Sequence, residues 1–158
     1  MLAANKLGAL GVLVGDRVET ALGELSPSAA SLLLTLHYRG AMTASALAPI
    51  LGVAQPTAVR VAQGLARRGL VGGRGREGRT APLALTREGR RRAEALARAR
   101  LGALEHLLAP LSAKKQARLE RLLDALLGAA ATSRELCRLC EHRTCTGPLC
   151  PVGRRVEG

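Results

Sequence analysis

The sequence predicts a mainly α-helical chain carrying one small β-hairpin, on the strength of three observations. Its hydrophobic residues are almost all Leu, Ala and Val: among 158 residues there is no Trp or Phe, and Tyr38 is the single tyrosine. Together with abundant Arg, that composition favours helix. Ser, Thr, Pro and Gly fall at intervals that start and stop helices of ordinary length. Between residues 70 and 86 the apolar period changes from helical to strand-like around a Gly- and Arg-rich centre. The length and the 47% hydrophobic content suit one domain, or one small domain with appended helices.

The N-terminal stretch MLAANKLGALGVLVGDR has the basic start and apolar run of a secretory signal, but Asp16 and Arg17 stand where a small-residue cleavage site is needed. Leu7, Leu10, Val14, Val18, Leu22 and Leu25 continue one stripe at helical spacing, so an amphipathic helix is expected there. In SPSAASLLLTLHYRG, Ser26 is placed as N-cap, Pro27 as first helical residue and Gly40 as stop. Next, TASALAPILG gives a short helix from Thr43 to Gly52. AQPTAVRVAQGLARRG gives another, with Pro56 in its first turn and Gly69 beyond its last. In that helix Val59, Ala62, Leu65 and Ala66 are the expected buried face, opposite Thr57, Arg60, Gly64 and Arg67. Two short helices joined by a tight turn, the second with an exposed basic and hydrogen-bonding face, are what helix-turn-helix recognition requires.

LVGGRGREGRTAPLALT then reads as a hairpin, with apolar runs near Leu70–Val71 and Leu83–Leu85 around a cationic tip. Residues 73–78, GRGREG, also satisfy G-x-G-x-x-G. A dinucleotide loop must open a helix within a βαβ unit, however, and here a Pro-containing strand follows. Thr86 caps a long helix to about Leu108 with a stripe of Ala93, Ala97, Leu101, Leu104 and Leu108. Pro110 ends it, and Ser112 caps another whose stripe is Leu119, Leu122, Leu123, Leu126 and Leu127. These two helices are expected to lie outside the compact core and to expose wide apolar faces; such faces need a partner, and a second copy of the chain is the simplest.

Charge narrows the partner. Of the formal +12, nine lie between Arg60 and Arg100, where twelve Arg face only Glu77, Glu88 and Glu94. A field of that size suits a polyanion, whose counterions are released on binding. The 20-residue uncharged run from Gly40 to Val59 contains two Pro, so no spanning helix is expected and a cytoplasmic location is. No paired carboxylates or nucleophile motif point to an enzyme. A single-strand or RNA binder would need aromatic stacking platforms that the chain lacks.

Three segments, LSPSAASLLLTL, ALAPILGVAQPTAVRVAQGLARRGLV and GRTAPLALTREGRR, resemble in order and spacing the multiple antibiotic resistance regulator (MarR) family of winged helix-turn-helix repressors. The resemblance implies a mainly α fold with a β-hairpin wing and dimerisation helices at both ends. On it, residues 1–25 form an N-terminal dimerisation helix, 26–86 the winged DNA-binding domain, 87–134 the dimerisation helices and 135–158 a cysteine-rich tail. It further implies a homodimeric, sequence-specific regulator of double-stranded DNA, a repressor, with a recognition helix in the major groove and the wing over the minor groove. Gln55, Thr57 and Arg60 are then the base readers and Arg79 the wing-tip arginine. Arg67, Arg68, Arg74 and Arg76 are the candidates for phosphate contact, and Thr43 and Gln63 complete the set. The chain departs from the family at Ala54, where Ser or Thr commonly caps the recognition helix, and at Glu77, where Asp commonly positions the wing arginine. In the family the helix ending at His37 and Tyr38 borders a cleft for a small-molecule effector; here both residues are expected to pack. The alternative reading is a metal-stabilised nucleic-acid-binding protein without effector response.

All four cysteines lie in CRLCEHRTCTGPLC, with the spacing C-x2-C-x4-C-x4-C. Two cysteines separated by two residues can put both sulfurs on one metal as a helix ends, and Gly147 and Pro148 can bend the chain back. The spacing is similar to that of small zinc knuckles, with Cys145 where those usually have His, though their aromatic and glycine residues are absent. Cys137, Cys140, Cys145 and Cys150 are therefore expected to bind one metal centre. Zn²⁺ is the first choice, and an iron-sulfur cluster or a reversible disulfide pair is the alternative. Arg138, Arg143, Arg154 and Arg155 are the nearby cations expected to offset thiolate charge.

Overall fold

Helices begin where a hydroxyl can satisfy a free backbone amide and end where a glycine can turn the chain. The computed structural model describes residues 1–73, 81–145 and 147–157. Its elements are α1 (Leu2–Leu22), α2 (Pro27–Arg39), α3 (Ala44–Leu51), α4 (Gln55–Arg67), β1 (Val71–Gly73), β2 (Leu83–Leu85), α5 (Arg87–Leu108), α6 (Ala113–Ala130) and α7 (Pro151–Glu157). Short 3₁₀ turns occupy Arg134–Cys137 and Gly147–Leu149. The fold class is the expected one, mainly α with a two-stranded antiparallel hairpin following a helix-turn-helix. Among the described residues no helix is long and apolar enough to cross a membrane.

Ser26, Thr43 and Thr86 each accept a hydrogen bond from the amide three residues on, at 3.2, 3.2 and 3.0 Å. Such caps contribute about 1 kcal/mol each. Ser112 precedes α6 as expected, but its side chain makes no capping hydrogen bond. Between α3 and α4, Gly52 adopts the left-handed conformation (φ 67°), and the Val53 amide closes onto the Ala48 carbonyl at 3.1 Å.

α2 lies at the centre. Its run from Ala30 to Leu36 is buried, Ser31 and Thr35 included. A helix buried on all sides must be packed by several neighbours. Leu22 of α1, Leu47 and Leu51 of α3, Ala58, Ala62 and Leu65 of α4, Val71 and Leu85 of the hairpin, and Ala93 and Leu96 of α5 supply that packing.

Two expectations need correction, and one element was not foreseen. The buried face of α4 is Ala58, Ala62 and Leu65, while Val59 is half-buried and Ala66 exposed. The fully buried Ala58 carries only a methyl group, which lets α4 pack closely in the core where an isopropyl group would not fit as well. Secondly, α5 does not lie outside the core: its N-terminal half packs on α1 and α2 through Ala93 and Leu96, and only its C-terminal half has an exposed leucine, Leu101. The unforeseen element is helix α7 of the tail, which packs on α6.

Candidate nucleic-acid interface and thiol cluster

Because α4 buries positions 58, 62 and 65, its opposite face is left to solvent. Gln55, Arg60, Gln63 and Arg67 are exposed there, and Thr57 is half-buried. The Arg60 Nε donates to the Pro56 carbonyl at 3.4 Å, one turn back. Ala54 provides no side-chain cap for α4. Thr43 stands apart from this face: its Oγ1 caps α3 and lies 2.9 Å from Ser45 Oγ at the start of that helix. No Asp or Glu occurs between residues 25 and 76, so nothing in the helix-turn-helix sequence opposes its arginines. From outside that stretch, Glu24 reaches Arg68 at 3.7 Å and the Glu135 carboxylate lies against Gly52, which leaves the positive charge of Arg60 and Arg67 without an ion pair among the described residues.

The hairpin is set beside α4 by a tightly built base. Val71 pairs with Leu85 and Gly73 with Leu83, and Leu83 also exchanges backbone hydrogen bonds with Met42 at 3.0 and 2.8 Å. The Thr86 hydroxyl donates to the Gly69 carbonyl at 2.7 Å while accepting from Gly89. A Cβ at Gly89 would overlap the Leu70 carbonyl, so only glycine lets α5 start this close to the hairpin. Arg74, Arg76 and Arg79 lie outside the described residues. Near the base, a cavity of about 250 Å³ is lined by Leu36, His37, Gly40, Ala41, Leu85 and Arg90 among others.

At the other end of the molecule the four cysteines gather beside Ala131 and Val152. Cys137 and Cys150 are buried, Cys140 and Cys145 half-buried, and all four are free thiols. Cys140 and Cys145 pack against the buried Cys137 and Cys150. Burial, then the neighbouring sulfurs, pushes Cys137 up to about 11 and Cys145 up to about 12. Burial also raises Cys150, but the Gly153 amide, the Cys145 and Cys137 thiols and the charge of Arg134 outweigh it and hold Cys150 below the usual thiol value. Cys150 Sγ accepts from Gly153 N at 3.2 Å and from the Arg134 guanidinium at 3.4 Å. Among the described residues, no three His, Cys, Asp or Glu side chains already sit as a metal-holding group.

The cations beside the thiols are only in part those expected, Arg154 lining one cleft with Cys145. Arg138 and Arg143 bridge to Glu135 and Glu141, whereas Arg134 reaches Cys150 and the charge of Arg100 acts on Cys140. Spacing did not reveal them, because Arg100 is forty residues away in sequence.

Nor did it reveal where the tail docks. Ser31 Oγ, buried in α2, donates to the Arg138 carbonyl at 3.1 Å, and Tyr38 Oη donates to Glu141 Oε2 at 2.7 Å. His142 and Arg143 both lie about the Tyr38 ring, each 5.6 Å from its centroid. The hydrogen bond from Arg143, with help from Tyr38, holds the Glu141 carboxyl down to about 2, while burial raises the Tyr38 phenol to about 12. A side chain at Gly52 would overlap the Glu135 carboxylate. Tyr38 therefore has the packing role expected of it, toward a segment over a hundred residues away. A buried serine in an otherwise apolar helix and a lone tyrosine at its end were the available signals.

Residues 25–72 match the MarR family model. Solved structures of MarR proteins superpose over most of the chain. A MarR family protein from Bacillus stearothermophilus shares 22% identity, covering 78% of this chain and 89% of that one with a TM-score of 0.68. MepR from Staphylococcus aureus, a transcription regulator of a multidrug efflux pump, shares 16% identity over 82% of this chain and 98% of its own, with a TM-score of 0.67. A Mycobacterium tuberculosis MarR family protein in complex with salicylic acid shares 26% identity over 76% of this chain and 92% of its own, with a TM-score of 0.59. No curated protein sequence matches the chain. The MarR match spans α2 to β1, the helix-turn-helix and the start of the wing, and stops well before the cysteines.

Proposed function

We propose that the chain is a transcription regulator that binds double-stranded DNA sequence-specifically as a homodimer, and that it acts as a repressor. The exposed face of α4 carries this reading. Gln55, Arg60, Gln63 and Arg67 project from a helix whose other face is anchored in the core, in a stretch of chain with no Asp or Glu of its own, within the segment that matches the MarR family. A helix so presented fits a major groove, where Arg reads guanine and Gln reads adenine by paired hydrogen bonds. Thr57 stands beside them at the first turn. Arg67 approaches phosphate, as do Arg74 and Arg76, and Arg79 enters the minor groove. Thr43, committed to capping α3, contributes at most a backbone-proximal contact.

Dimerisation follows from the leucines the chain leaves uncovered. Leu7, Leu10 and Leu13 of α1 and Leu122 and Leu126 of α6 are 41 to 55% exposed. Burial of the remaining exposed half of each by a second copy would contribute roughly 1 kcal/mol. In this reading 1–25 and 87–134 carry the dimer contacts, and 26–86 meets DNA.

Genomic footprinting, followed by binding of the recovered duplex, a scrambled duplex and a single strand, tests the proposal. Tight, salt-dependent binding of the recovered duplex supports it. Equal affinity for all three probes contradicts it. Derepression of the bound genes in a deletion strain checks the sign of regulation.

A further inference from the structure

We propose that Cys137, Cys140, Cys145 and Cys150 hold one thiophilic divalent cation, Zn²⁺, in a four-thiolate site that pins the C-terminal tail against α2 and α3. The four cysteines meet in one packed cluster, Cys140 and Cys145 against the buried Cys137 and Cys150, although Cys137 and Cys150 stand 13 positions apart in sequence. Packing alone gives no reason for four thiols to meet. The backbone is shaped around them: Cys137 ends one 3₁₀ turn and the Cys140 amide folds back onto its carbonyl at 2.9 Å, while Gly147, at φ 52°, opens the turn that delivers Cys150. Gly153 then donates its amide to Cys150 Sγ at 3.2 Å, a hydrogen bond suited to an anionic sulfur.

Charge points the same way. Four thiolates around Zn²⁺ leave a net −2, which a half-buried site must offset. The Arg134 guanidinium lies 3.4 Å from Cys150 Sγ, and a Cβ at Gly153 would come within 2.7 Å of that guanidinium, so glycine makes room for it. Arg100 acts on Cys140, and its buried Nε has no hydrogen-bond partner among the described residues. A guanidinium on Cys150 and a second positive charge acting on Cys140 are the kind of charge compensation that metal thiolates require. Binding is acid–base balanced: Zn²⁺ takes four sulfur ligands, each S–H bond breaks as a Zn–S bond forms, and up to four protons leave to solvent. From an arrangement in which, among the described residues, no three ligands yet sit as a metal-holding group, the sulfurs must draw in to about 2.3 Å from the ion. Because Arg138 and Glu141, between and beside these cysteines, bond to Ser31 and Tyr38 of α2, closing the site fixes the tail on the helix-turn-helix.

The test uses the full chain, purified anaerobically without chelator. We expect about one zinc per chain, no iron or sulfide, and thiols that resist alkylation until a strong chelator is added. Cobalt(II) in place of zinc should give the visible spectrum of tetrahedral four-sulfur coordination. Cys145→Ser should lower zinc affinity at least tenfold, and Cys145→His should restore most of it. Chelation should raise hydrogen exchange at the tail and α2. A chain that takes up no zinc, with all four thiols freely alkylated, overturns the site; so does a brown protein with iron and sulfide, or one isolated with disulfides. None of these readouts depends on DNA binding.

Discussion

Helices α4 and α6 are both amphipathic, yet they end in opposite situations. The apolar side of α4 closes within its own chain, with Ala58, Ala62 and Leu65 buried, and the residues left outside are polar and basic. α6 buries none of its residues, and Leu122, Leu123, Leu126 and Leu127 are all at least 40% exposed. One helix therefore offers hydrogen-bonding groups from a rigid mount, and the other offers leucines without a cover. An amphipathic pattern identifies which face is apolar; only packing shows whether the same chain supplies the cover.

The largest expected effect comes from the α6 side of this contrast. Leu123 and Leu127 line a cleft of about 720 Å³ shared with Thr144, Cys145 and Leu149 of the tail, whereas Leu122 and Leu126 line no such cleft. The double substitution Leu122→Arg and Leu126→Arg should leave helix content unchanged but make the protein monomeric in sedimentation. Affinity for a two-fold site should then fall by on the order of a thousandfold. A doubly substituted protein that still sediments as a dimer would show that another face joins the copies.

On the α4 side, Ala58→Leu overfills a fully buried position and should cost about 1–3 kcal/mol in denaturant unfolding. Ala66→Leu, on an exposed position of the same helix, should change stability by less than about 0.5 kcal/mol. Equal costs would mean that the two faces are not as different as described.

The same helix shows what could be read in advance. Ser26, Pro27 and Gly40 delimit α2, and Thr43 and Gly52 delimit α3, because capping is chemistry between residues a few positions apart. The hairpin was legible for the same reason, from its change of period. In α4 the apolar pattern identifies Ala62 and Leu65 but favours Val59 over Ala58, since Val59 is the better hydrophobe while Ala58 is the residue buried in the core. The docking of the tail through Ser31, Tyr38 and Gly52, and the approach of Arg134 and Arg100 to the thiols, join parts of the chain that no local pattern connects. The cysteine motif stood out in the sequence, while its cationic surroundings did not.

Arg60→Ala sharpens the account of the polar face. It should cost ~1–3 kcal/mol against the preferred duplex and much less against random DNA, relaxing choice at one base position. Equal loss on both duplexes would make Arg60 a phosphate contact. The smallest effect concerns the clasp between α2 and the tail. Tyr38→Phe removes the hydrogen bond to Glu141 and should weaken tail docking by about 0.5–1.5 kcal/mol, seen as faster hydrogen exchange around residues 137–143 with the core unchanged.

The most direct test of the central claim is the stoichiometry and selectivity of duplex binding. Fluorescence anisotropy with a footprinted duplex, titrated at several salt concentrations, should show two chains per duplex, affinity falling steeply with salt, and a preference over scrambled duplex that is lost in the Leu122→Arg, Leu126→Arg protein. One chain per duplex with no preference between the two sequences would contradict it.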